Sequence, residues 1–118
     1  KVQEKVGTYI KNRKNNVLFT FHKNNGIEYG IRKLTSYKKD DANFYWLNIP
    51  NKKDFYIIPQ DELIARKYID TAIKKNLNII SHQKCKEWLK EYLFDYTNPD
   101  LDKIKYMFKI QSELLSVQ

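Results

Sequence analysis

The stretch NFYWLNIPNKKDFYIIP, residues 43–59, decides the fold of this 118-residue chain. It reads as two short strands around a polar turn. Phe44 and Trp46 point one way while Tyr45, Leu47 and Ile49 point the other; Phe55 and Ile57 likewise oppose Tyr56 and Ile58. Successive side chains of a strand alternate between faces. Strands that are apolar on both faces belong in the middle of a sheet covered on each side, usually by helices.

Working downstream, PQDELIARKYI places a proline and two acids at a helix start. There the missing N–H costs nothing and the macrodipole favours negative charge, which predicts a short helix to about Ile69. KKNLNII predicts a last strand ending at Ser81, which can cap a following helix. In that helix Cys85, Trp88, Leu89, Tyr92 and Tyr96 follow helical spacing, so Cys85 is a packing residue. Asn98, Pro99 and Asp100 repeat the start pattern, and Leu101, Ile104, Met107, Phe108, Leu114 and Leu115 form a wide apolar stripe through a final helix.

Upstream, VLFTFHKNNGIEYGIRKL (17–34) alternates with period two around Asn24, Asn25 and Gly26. Asn-Gly supplies the positive φ angles of a tight hairpin turn. Val17, Phe19 and Phe21 share a face, with Ile27, Tyr29 and Ile31 expected across from them. TSYKKDDA has no apolar period and reads as a loop. The expected fold is therefore α+β, or mixed α/β: a central sheet of two consecutive hairpins flanked by helices, with two amphipathic helices at the C-terminus, in one domain spanning 1–118.

Hydrophobic residues make up 42% of the chain, enough for a core without disulfide or metal staples. The single cysteine excludes an internal disulfide and any multi-cysteine zinc site, and favours an intracellular setting, in cytoplasm or nucleus. No run of about 18 apolar residues exists, and the amino end lacks the apolar segment of a signal peptide, so no membrane partner is expected. The chain starts at Lys1 rather than Met, as a processed product or an excised piece of a longer polypeptide would.

The net charge of +8 is unevenly placed. Residues 1–40 hold ten Lys or Arg against Glu4, Glu28 and Asp40, a net of +7; residues 41–118 hold twelve against eleven, a net of +1. Cations gathered in one third of a domain can form a field that attracts polyanions, nucleic acid above all. Lys11, Arg13, Lys14, Lys23, Arg32, Lys33, Lys38 and Lys39 would supply phosphate contacts. Asn12, Asn15, Asn16 and Asn24 could hydrogen-bond the backbone or base edges. The enrichment in Lys, Asn, Ile and Tyr is also what AT-rich coding DNA produces.

Metal and nucleophile motifs are missing. His22 and His82 are far apart in sequence, and there is no HExxH, Gly-rich phosphate loop or GxSxG. Asp40 and Asp41 are adjacent, so on a strand they face opposite sides and cannot share an ion; a solvated loop is the simpler reading. No metal and no cofactor is expected from these residues.

KVQEKV, at the amino end, alternates as a strand with Val2, Glu4 and Val6 on one face and Gln3 with Lys5 on the other. Taken in order, VQEK, the strand VLFTF, DANFYWLNIP and FYIIPQDELI resemble the second half of a PD-(D/E)XK, or restriction-endonuclease-like, domain. In that family an E-x-K motif, at times Q-x-K, is followed by a strand and by a hairpin ending in an FYIIP-like segment that leads into a helix. The resemblance covers about residues 2–69. It implies that Gln3 matches the metal-binding Glu or Gln and Lys5 the lysine that orients or polarises the attacking water. The family's metal-binding Asp lies on a strand before this motif, and here the chain begins at Lys1. A neutral Gln3 alone holds Mg²⁺ poorly, because a hard cation favours carboxylate oxygens. The resemblance therefore implies a nucleic-acid-binding domain of degenerate nuclease-like fold, with DNA the first expectation over RNA, inactive in isolation and part of a larger DNA-processing protein. The alternatives are a protein-interaction or dimerisation module using the C-terminal helices, and an Mg²⁺-dependent endonuclease completed by a further segment or partner.

Overall fold

The computed structural model describes residues 1–9, 16–72, 75–80 and 86–116, with the backbone alone described at 24, 25, 27, 28, 32, 33, 80 and 111–116. In chain order the elements are β1 (Val2–Val6), β2 (Thr8–Tyr9), β3 (Asn16–Phe19), β4 (His22–Glu28), β5 (Ile31–Ser36), β6 (Phe44–Asn48), β7 (Asp54–Pro59), α1 (Gln60–Ala65), β8 (Leu77–Ile80), a 3-10 helix (Glu87–Tyr92), β9 (Leu93–Asp95) and α2 (Leu101–Ser116). They form an α+β fold.

The 43–59 stretch folds as the sequence predicts. β6 and β7 pair antiparallel from Phe44↔Pro59 to Asn48↔Phe55, with Asn51 at φ +60° in the turn between them. Both strands are interior, because β1 joins β6 in parallel and β9 joins β7 antiparallel, in the order β1-β6-β7-β9. Each face of this sheet has its own core. On one, Tyr45, Leu47, Tyr56 and Ile58 pack against Val17 and Phe19 of β3, Leu77 and Ile79 of β8, and Leu63 of α1. On the other, Phe44, Phe55, Ile57 and Phe94 receive Ile104, Met107 and Phe108 of α2. Full burial of one such side chain contributes about 1.5–3 kcal/mol, which is why the two-faced hairpin must be central. Helix α2 starts where expected, with Asp100 Oδ1 accepting the Lys103 backbone N–H at 3.1 Å as its cap.

Around the 17–34 stretch, three details depart from the sequence reading. The two hairpins do not share a sheet: β4 and β5 form a separate two-stranded ribbon, while β2-β3-β8 is a third sheet. Val17, Phe19 and Phe21 are all buried, but their cross-strand partners are not Ile27, Tyr29 and Ile31; Val17 pairs with Ile79 and Phe19 with Leu77. The tight turn sits at Tyr29 (φ +54°) and Gly30 (φ +76°), two consecutive left-handed residues of the kind a primed hairpin turn demands. The left-handed angle expected at Gly26 is present (φ +91°), yet it serves a bulge where the register shifts between Asn24 and Ile27.

Toward the C-terminus, the expected first amphipathic helix is only a 3-10 helix followed by a strand. Leu93–Asp95 instead covers the outer edge of β7, pairing with Asp54–Tyr56 and satisfying backbone groups that would otherwise lie unpaired. Cys85, Ser81 and His82 lie outside the described residues. Helix α1 stops at Ala65, short of Ile69, because Lys67 turns left-handed (φ +64°). Its N–H reaches Ile64 C=O and the Tyr68 N–H reaches Leu63 C=O, the paired bonds of a Schellman stop, with Tyr68 and Leu63 both buried. No helix among the described residues is long and apolar enough to cross a membrane.

Candidate nucleic-acid interface

β1 is an edge strand with inverted polarity. Its register with β6 puts Gln3 beside Tyr45 and Lys5 beside Leu47, so the polar residues face the larger core. Val2 and Val6, 46% and 69% exposed, face outward. The two inward side chains converge on one atom: Gln3 Nε2 donates to Tyr37 Oη at 3.2 Å and Lys5 Nζ donates to it at 2.8 Å. Lys5 Nζ also lies 4.8 Å from the Tyr37 ring centroid and 5.9 Å from that of Phe21. At these distances the charge-assisted hydrogen bond outweighs the cation–π attraction. An inward lysine on an edge strand also discourages strand-to-strand association, a structural use that coexists with any binding role.

Tyr37 follows β5 and is fixed from its backbone. Its N–H donates to Phe21 C=O at 2.8 Å, and its C=O accepts from Asp70 N–H at 2.6 Å. Its ring stacks on Tyr45 at 6.0 Å and meets Phe21 edge-on at 6.3 Å. Burial, then the Asp41 carboxylate and Tyr37, raise the Tyr45 hydroxyl well above the ordinary tyrosine range. That hydroxyl is buried with no hydrogen-bond partner among the described residues.

In front of this cluster is a cleft of 520 Å³ lined by Gln3, Lys23, Tyr37, Asp41 and their neighbours. Lys23 of β4 stands 3.7 Å from Asp41 Oδ2, both partly exposed. Asp41 closes the loop after β5 by accepting the Lys38 backbone N–H at 2.8 Å. Asp40 turns the other way: its Oδ1 accepts from Gln60 Nε2 at 3.0 Å and its N–H donates to Gln60 Oε1 at 2.8 Å. The adjacent aspartates thus hold different parts of the fold.

The cations proposed from sequence are only partly brought together. Lys23, Lys38 and Lys39 are exposed around the mouth of the cleft or on its loop. Arg32 and Lys33 lie on the same ribbon, Arg32 in register with Ile27, and Asn24 pairs with Leu34 across it. Lys11, Asn12, Arg13, Lys14 and Asn15 lie outside the described residues. Asn16 is a correction: it begins β3 opposite Ile80, is 9% exposed, and its buried Oδ1 has no partner among the described residues, so it is not a surface contact. Tyr37 was not legible as a site residue, since one aromatic in a polar loop carries no distinguishing signal.

The metal implied by the nuclease resemblance does not fit this donor set. Among the described residues lining the cleft, Asp41 contributes the one carboxylate, already bonded to a backbone N–H and facing Lys23; beside it Gln3 offers a neutral amide, with Lys5 adjoining. No cluster of three or more His, Cys, Asp or Glu side chains suited to a metal occurs among the described residues. Compared with family models, curated proteins and solved structures, the chain matches none.

Proposed function

We propose that this chain is a nucleic-acid-binding domain that contacts the phosphate backbone of DNA through the β1–β4 cleft, within a larger DNA-processing protein. The observation that carries this reading is the convergence of Lys5 and Gln3 on Tyr37 Oη with Lys23 across the cleft. A tyrosine oxygen has two lone pairs and one hydrogen. With both lone pairs engaged, the Tyr37 hydrogen is left to donate, and the remaining hydrogens of Lys5 and Gln3 add to it. A surface that offers donors and positive charge beside one carboxylate suits a phosphate oxygen better than a cation. The exposed lysines 38 and 39 extend the same field.

Fluorescence anisotropy with a duplex oligonucleotide across a salt series tests this. If about five phosphates are neutralised, log K falls with log[salt] at a slope near −4 to −5. Substituting Lys23, Lys38 and Lys39 by Ala lowers the slope by about one for each lysine that touches a phosphate. A flat salt response removes the reading.

The second reading, a protein-interaction surface on α2, is favoured by Tyr106 and Ile110, 63% and 38% exposed beside a 440 Å³ groove. It predicts a concentration-dependent mass in sedimentation that Ile110→Lys abolishes.

A further inference from the structure

The face of the four-stranded sheet opposite the cleft carries a group of aromatic rings that the phosphate-binding reading does not use. Trp46 stacks on Phe55 with centroids 4.8 Å apart and planes 7° from parallel. Tyr96 stacks on the same ring at 4.1 Å and 30°, and lies 6.5 Å from Trp46 at 25°. Phe55 is buried, whereas Trp46 is half-buried and Tyr96 is 48% exposed. The three near-parallel rings form a step whose base is core and whose outer part is solvated.

The polar tips of this step are tied to one another. Trp46 Nε1 donates to Tyr96 Oη at 2.9 Å, Tyr96 Oη donates to Asn48 Oδ1, and Asn48 Nδ2 donates to Glu4 Oε1 at 2.7 Å. An exposed tyrosine held by stacking and by its hydroxyl has little rotamer freedom left to lose on binding. What it offers outward is ring surface.

Charge indicates what such a surface suits. Tyr96 N–H donates to Lys53 C=O at 2.8 Å, which sets the platform against the Lys52–Lys53 turn between β6 and β7. Both lysines are exposed, and neither belongs to an ion pair among the described residues. The nearby Asp54 and Asp95 pair with each other in register, and strand alternation carries them to the other face. Flat aromatic surface beside two exposed lysines is the combination that binds single-stranded nucleic acid, bases on the rings and phosphates on the lysines.

We infer that Trp46 and Tyr96 form a stacking platform for unpaired nucleobases, with Lys52 and Lys53 contacting the adjoining phosphates. The inference rests on the nucleic-acid-binding reading and adds a preference for a single strand, or for the frayed end of a duplex.

A Trp88→Phe variant leaves Trp46 as the sole indole. Titrating it with an oligothymidine of about 12 nucleotides, and with a duplex of the same length, reads the platform directly. The expected result is quenching of Trp46 emission by the single strand and a loss of single-strand affinity of about tenfold or more in Tyr96→Ala, with duplex affinity unchanged. Tyr96→Phe, which keeps the ring, retains single-strand binding, and this separates loss of stacking from loss of fold. Salt-dependent duplex binding without Trp46 quenching, and with Tyr96→Ala indistinguishable from its parent on the single strand, overturns the platform and leaves the phosphate reading standing. Binding of neither probe overturns both.

Discussion

Lys5 Nζ donates to Tyr37 Oη at 2.8 Å on the inner face of an edge strand, where an apolar side chain would ordinarily sit. The pair joins β1 to the loop after β5, two segments that share no backbone ladder. Tyr37→Phe leaves the ammonium and the Gln3 amide without their acceptor. The expected cost is about 1–2 kcal/mol, at the low end because Lys5 is only half-buried. Urea denaturation of Tyr37→Phe, Lys5→Met and the double variant measures the coupling; additive effects contradict the contact.

Alkaline stability is set in part by two tyrosines. Burial, then the Glu62 carboxylate, pushes the Tyr92 hydroxyl up to about 12. Tyr45 is raised in the same direction, chiefly by burial. A tyrosine in the unfolded chain titrates near 10. Above that pH the folded state holds more protons than the unfolded state, so stability falls as pH rises. The contribution is complete below about pH 10 and is lost between about 10 and 12 for Tyr92. Tyr92→Phe should flatten the alkaline limb of a melting-temperature profile. Tyr45→Phe should do the same and, by deleting a buried hydroxyl with no partner among the described residues, leave neutral-pH stability equal or higher.

Gly7 joins β1 to β2 where the chain crosses from one sheet to the other. A Cβ there would lie 2.2 Å from Val17 Cγ1 and 2.8 Å from Phe19 Cζ, both belonging to buried side chains. Gly7→Ala should therefore destabilise by about 1–3 kcal/mol or more through overpacking. A thermal midpoint unchanged from the parent would contradict this packing.

Lys67 ends α1 in the left-handed conformation that a β-carbon disfavours. Lys67→Gly should stabilise the protein by about 0.5–1 kcal/mol, while Lys67→Ala, which keeps the β-carbon, should be close to neutral. Comparing the two variants by urea denaturation separates relief of backbone strain from loss of charge.

The sequence was most informative where one physical constraint acted alone. Residues 43–59 are apolar on both faces, and only an interior position satisfies them, so the central hairpin and its two-sided core were legible. The 17–34 stretch carried two glycines able to adopt positive φ. Asn-Gly was the stronger turn signal, yet Tyr29–Gly30 took the turn because Val17 and Phe19 pair instead with β8, about sixty residues away in the chain. Nothing within residues 17–34 encodes that partner. In the same way, the spacing of Trp88, Leu89 and Tyr92 fits a helix, but the open edge of β7 draws Leu93–Asp95 into a strand. The inward alternation of Gln3 and Lys5 could be read directly. Their acceptor, Tyr37, is more than thirty residues away in a segment without pattern.

The parallel pairing of β1 with β6 has a kinetic corollary. The two strands run side by side, yet between them the chain must pass through β2 to β5 and build parts of both other sheets. Three of the ladders, β1–β6, β3–β8 and β7–β9, join strands that are not neighbours in the chain, and their loop-closure entropy must be met before the sheets they complete can form. Refolding after dilution from denaturant should therefore run on the millisecond-to-second scale of non-local β proteins, with the amino-terminal strand docking onto a hairpin that is already in place.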